Sequence, residues 1–176
     1  MHKKRRRKAA DQRQFRQQHA DGSRVGKPVH SATSVGQSNL SVAFGLVAVT
    51  LAVYAQVMGH QFILLDDPLY IRENLIVNRG LTLTGIGWAF TTFHASNWHP
   101  ITWLSHMLDC QMFGLNAGGH LMVNALIHGS NTVLLFLFLR RTTGAKWQSA
   151  IVAALFALHP LHVESVAWAA ERKDTL

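Results

Sequence analysis

Three groups of side chains in this 176-residue chain have the types and spacing that chemistry requires. Asp66 and Asp67 are adjacent carboxylates that follow the apolar run Phe62-Ile63-Leu64-Leu65. Two acids beside a low-dielectric layer resist ionising together, which raises at least one pKa or recruits a cation, and a carboxylate so placed can serve as a general base. The structural alternative is a turn or helix start, because Asp-Asp-Pro with Pro68 at the first helical position is ordinary turn chemistry. His120, Asn124, His128 and Asn131 recur at helical spacing and share one face. Polar groups at membrane depth face a bundle interior or a wet cavity. The two asparagines are read as interhelical hydrogen bonds, and His120, nearest the surface, as a functional residue. His159, His162 and Glu164 place two imidazoles and a carboxylate within six residues, a set for a divalent metal, a phosphate or a sugar. Pro160 and Trp168 argue against one helix presenting all three. Arg172 and Lys173 follow, with charge suited to an anionic lipid phosphate.

The elements that must position these groups are apolar helices. Residues 40–58 carry no charge and are long enough to cross a hydrocarbon core of about 30 Å. They are read as a retained signal anchor, since a cleaved signal has a shorter core ending in small residues. A second span is expected over 120–139, closed by Arg140 and Arg141, and a third, shorter one over 146–160. Residues 60–119 are broken by Pro68, Gly80, Gly85, Gly87 and Pro100. Short interfacial helices are expected there, with Trp88, Trp98 and Trp103 at headgroup depth. The fold class is therefore an all-α integral membrane bundle.

Charge sets the orientation. Ten of the 17 Lys and Arg precede residue 31, against Asp11 and Asp21 alone, so that stretch carries +8 and the rest of the chain is neutral. Residues 1–39 are read as a disordered cytoplasmic tail touching anionic lipid. Together with Arg140, Arg141 and Lys146, the positive-inside rule makes 60–119 extracytoplasmic and returns the segment after 160 to the same side. No aromatic interleaving or folded reader accompanies the basic run, so nucleic acid is not expected as a partner. The single Cys110 excludes an intrachain disulfide and reads as a buried thiol. The chain stops after Glu171-Arg172-Lys173-Asp174 without a closing helix and reads as the N-terminal part of a longer protein, inactive by itself.

Leu65-Asp66-Asp67 with Asn74, Trp98-His99-Pro100-Ile101-Thr102, Gly119-His120 with Asn124 and His128, the run Phe156 to Trp168, and Glu171-Arg172-Lys173-Asp174 together resemble one family. It is the transmembrane and tetratricopeptide-repeat O-mannosyltransferase-like family with its bacterial relatives, within the GT-C glycosyltransferases. The resemblance covers nearly everything from residue 60 onward. It implies a multispanning bundle, with residues 40–176 its N-terminal part, that moves a sugar such as mannose from a polyprenyl-phosphate donor to a protein or glycan acceptor. By the same resemblance, repeats follow the membrane domain and the location is a bacterial inner membrane with the N-terminus cytoplasmic. Asp66 becomes the catalytic base and Asp67 its neighbour, ordering the acceptor or a cation. His120, His159, His162, Glu164 and Arg172 become substrate-binding residues, and a divalent metal stays open as a cofactor. Two other classes stay open as well: a non-catalytic membrane anchor for protein-binding repeats, and a metal-dependent hydrolase built on His159, His162 and Glu164.

Overall fold

The computed structural model describes residues 32–176, with side chains from Asn39 onward. The basic run of the expected tail lies outside the described residues, and Gly36–Leu176 forms one compact unit. Helix α1, Ala32–Tyr54, begins ahead of the tail's expected boundary at 39 and tightens into a 3-10 turn, Ala55–Gly59. Its apolar stretch Asn39–Gly59 has 21 residues and contains an 18-residue stretch of mean hydropathy 2.0. Short pieces follow: a π turn at Pro68–Arg72, α2 at Leu75–Asn78, α3 at Leu83–Thr91, a 3-10 turn at His94–Ser96, and α4 at Pro100–Phe113. Helix α5, Ala117–Thr143, has 27 residues with an 18-residue stretch of mean hydropathy 1.6, and among the described residues α1 and α5 are the two helices long and apolar enough to cross a membrane. Helix α6, Lys146–Leu158, α7, His162–Ala167, and a last 3-10 turn, Ala170–Asp174, complete an all-helical set, with no strand among the described residues.

Local chemistry explains the boundaries. Asn74 accepts from the N–H groups of Ile76 and Val77, Thr82 from Gly85, and Asn116 from Gly119, so α2, α3 and α5 carry side-chain N-caps. Gly144, at φ 72°, supplies the left-handed residue that closes α5 and lets α6 turn back against it. Helix α6 stops at Leu158 because His159 precedes Pro160 and is held extended, at φ −67° and ψ 129°. Its 13 residues rise only about 20 Å. The third span expected over 146–160 is thus shorter as a helix than a hydrocarbon core of about 30 Å.

The polar face of the second span turns inward as its period requires: His120 and Asn124 are fully buried and His128 is 2% exposed. Both asparagines bond across elements, Asn124 to the carbonyls of Ser165 and Trp168, and Asn131 to that of Thr175. His128 donates from Nε2 to the Ala157 carbonyl of α6 at 3.0 Å. In the loop, Trp103 packs inside the protein and does not face outward to headgroups. Trp103, His106, Met107 and Cys110 form an i, i+3, i+4, i+7 stripe on α4 that faces the core, and Trp103 is fully buried while Trp98 is exposed.

Helix α5 starts against the turn after α1 at one crowded point. A Cβ on Gly118 would lie 2.2 Å from the Met58 carbonyl oxygen, which is backbone and has no rotamer to escape into. Gly118→Ala is therefore expected to destabilise the bundle by about 1–3 kcal/mol, the usual cost of overpacking. A lowered melting temperature in detergent reads this out, and Gly45→Ala, where a Cβ meets nothing within 4 Å, is the matched control.

Candidate functional site

The two acids of Asp66-Asp67 have different surroundings. Asp67 is 1% exposed and its backbone is helical, yet its carboxylate makes no cap bond to the turn it begins. Its Oδ2 accepts from the Ile63 N–H and its Oδ1 from the Ala170 N–H, each at 2.8 Å. Asp67 therefore ties the exit of the first span to the segment after α7. Burial raises its pKa above the usual carboxylate value, with the two backbone bonds opposing and the neighbouring Asp66 adding to the rise. Asp66 is half-buried, and among the described residues nothing donates to its carboxylate.

One turn after this pair, Tyr70 donates its N–H to the Asp66 carbonyl and belongs to an aromatic cluster. Tyr70 stacks on His99 with ring centroids 5.5 Å apart and on Trp103 at 4.8 Å, and His99 lies 4.9 Å from Trp103. Lys173, carried by the same segment that Asp67 holds, places Nζ 5.8 Å over the Tyr70 ring and 2.8 Å from Glu171. Burial pulls the Lys173 ammonium down, but Glu171, Tyr70 and Asp174 outweigh it and hold the pKa above its ordinary value. Burial and then the Lys173 charge push His99 down, and its buried Nε2 has no hydrogen-bond partner. His99 is thus a neutral ring beside a persistent ammonium.

Arg172 points the other way. It is fully buried, with Nε on the Asn124 amide oxygen at 2.6 Å, Nη1 on Ser105 at 2.8 Å and on the Asp109 carboxylate at 2.5 Å, and Nη2 on the His120 carbonyl at 2.7 Å. The expected contact with a lipid phosphate is replaced by bonds inside the bundle, because Asp109 and Asn124 offer acceptors that no water reaches.

Around the same carboxylate lies a set that sequence reasoning missed. His106, Asp109 and His120 are buried and offer ligand atoms within 4.8 Å of one another, which could hold a divalent cation. The signal was present as His106 and Asp109 one helical turn apart on α4, but nothing in the sequence brings His120 to them. Burial lifts the Asp109 carboxyl to about 6 against the pull of Arg172. It also raises the Cys110 thiol to about 11, an inert, buried cysteine.

The metal reading left open at His159, His162 and Glu164 is not the grouping that the fold brings together. His159 is exposed and uses Nδ1 to accept the Leu161 N–H, capping the turn that Pro160 enforces. The His162 ring lies 4.5 Å from Phe156, 5.1 Å from His128 and 6.2 Å from His159, while Glu164 is exposed. His159 and His162 do share the rim of an apolar cavity of about 480 Å³ lined by Leu135, Val152, Leu155 and Phe156.

The chain is distantly homologous to protein O-mannosyl-transferases. It is 28% identical to Tmtc1 of Drosophila melanogaster over 155 residues, 84% of this chain and 18% of that protein. It is 28% identical to TMTC2 of Mus musculus over 134 residues, 72% of this chain and 16% of that one. Tmtc2 of Drosophila melanogaster is 38% identical over a shorter stretch of 80 residues, 44% of this chain and 8% of the relative. The chain thus spans less than a fifth of the length of these relatives. No family model matches it, and no solved structure does. The two long apolar helices and these relatives together support an integral membrane protein.

Proposed function

We propose that this chain contributes the base and the phosphate-holding groups of a membrane glycosyltransferase that moves a sugar, mannose by the resemblance, from a polyprenyl phosphate to an acceptor hydroxyl of a protein or glycan at the extracytoplasmic face. The observation that carries the reading is the division of labour in the acidic pair. Asp67 is committed to Ile63 and Ala170, and Asp66 beside it is free to take a proton. The names of the relatives supply the reaction class.

In this reaction the acceptor hydroxyl gives its proton to Asp66 while its oxygen bonds to the anomeric carbon. The bond from that carbon to the phosphate oxygen breaks, and the electron pair leaves on the lipid phosphate. Lys173, half-exposed over the Tyr70 ring, holds that phosphate as its charge develops, with His99 packed against the same ring. The cavity bearing His159 and His162 at its rim suits the isoprenoid chain, with Glu164 exposed nearby. His120 and Arg172, both fully buried, act by positioning α4 and α5 and not by touching substrate.

The test of the phosphate assignment is Lys173→Met in the intact protein, assayed for transfer from a labelled polyprenyl-phosphate sugar. One charge-assisted hydrogen bond is worth about 1.5–3 kcal/mol. The KM for the lipid donor is therefore expected to rise about tenfold or more, with Lys173→Arg restoring much of the loss. An unchanged donor KM removes Lys173 from the site.

A further inference from the structure

We infer that His106, Asp109 and His120 form a structural transition-metal site, of the zinc class, that clasps α4 of the loop to the start of α5. The tautomer of His120 carries the argument. Its Nε2 lies 2.9 Å from the Gly114 carbonyl oxygen, which only accepts, so Nε2 bears the hydrogen. The neutral ring then aims the lone pair of Nδ1 at Asp109 Oδ2, 3.4 Å away. Two lone pairs facing each other in a dry interior need a proton or a metal ion between them.

His106 supplies an independent observation. It is fully buried, its ring lies 6.1 Å from that of His120, and neither of its nitrogens has a hydrogen-bond partner. A proton on His120 would leave both of those nitrogens orphaned. A metal ion uses one of them.

The surroundings match those of a bound metal. A ligating histidine ordinarily donates its other N–H to a carbonyl, as His120 does to Gly114, and a ligating carboxylate keeps an outer partner, as Asp109 does in its ion pair with Arg172. A carboxylate has about four lone-pair sites, enough for a guanidinium and a metal together. Tetrahedral zinc at about 2.0–2.1 Å from each ligand sets ligand atoms roughly 3.4 Å apart, so a set already within 4.8 Å needs only side-chain adjustment. Two imidazoles and one carboxylate favour zinc over magnesium or calcium, which prefer all-oxygen sites. Because all three residues are buried, the site's work is to hold two elements together, and the inference stands apart from the transfer reaction.

The experiment is elemental analysis of the intact protein in detergent, reconstituted with zinc and freed of loose metal by gel filtration. About one zinc per chain is expected, with His106→Gln and Asp109→Asn losing most of it. Chelation should lower the melting temperature of the wild type and leave that of His106→Gln unmoved. Cobalt in place of zinc should give the visible absorption of a tetrahedral site in the wild type, a readout that survives even if the variants fail to fold. Wild-type protein that holds no metal after reconstitution, or that binds cobalt without that absorption, overturns the site.

Discussion

Asp66→Asn in the intact protein is expected to slow transfer about 10²–10⁴-fold, the usual worth of a positioned general base, while leaving the melting temperature near that of the wild type. The amide keeps the size and one acceptor of the carboxylate but takes no proton. Because nothing among the described residues donates to Asp66, no buried hydrogen bond is lost in the exchange. Asp67→Asn should behave in the opposite manner. An amide offers one accepting oxygen where Asp67 uses two, so its nitrogen must meet either the Ile63 or the Ala170 N–H, and one buried donor goes unpaired at a cost of about 1–3 kcal/mol. Stability falls first at Asp67, and turnover first at Asp66. Near-normal transfer by Asp66→Asn would sink the base assignment, and a deeper loss of turnover at Asp67 in folded protein would exchange the two roles.

What the sequence makes legible and what it hides divide along the range of the interactions. The two long apolar helices, the inward face of His120, Asn124 and His128, and the break at Pro160 are local, set by composition and by a period of 3.6 residues. The bonds of Asn124 and Asn131 across elements follow from the same periodicity. The commitment of Asp67 is not local, because its second partner, Ala170, lies 103 residues away. Trp103 was misplaced by composition: an aromatic in a broken loop suggests the interface, yet the stripe it shares with His106, Met107 and Cys110 has the spacing of a buried helix face. His106 and Asp109 carried a readable one-turn spacing, but a site needs a third group, and only the fold brings His120 to them.

Arg172 gives the second large effect, and it separates two readings of a residue that looks like a phosphate ligand in sequence. As a donor-binding arginine it would be replaceable with an intact fold and a raised KM. As the structure places it, Arg172→Met in the metal-free protein leaves the Asp109 carboxylate buried without its cation and strips donors from Asn124, Ser105 and the His120 carbonyl. Breaking a buried ion pair from one side costs about 3–5 kcal/mol, a large part of the stability of a small domain. The expected result is a melting temperature in detergent well below that of the wild type, with the yield of folded protein falling alongside it. Measured after chelation, Asp109→Asn combined with Arg172→Met should recover part of that loss, since no charge then remains unpaired, and the double-mutant cycle reads the coupling directly. Lys173→Met, one residue away on the half-exposed side, should instead keep the fold and change donor binding. Wild-type stability in Arg172→Met, together with a raised donor KM, would return Arg172 to the substrate and remove it from the core.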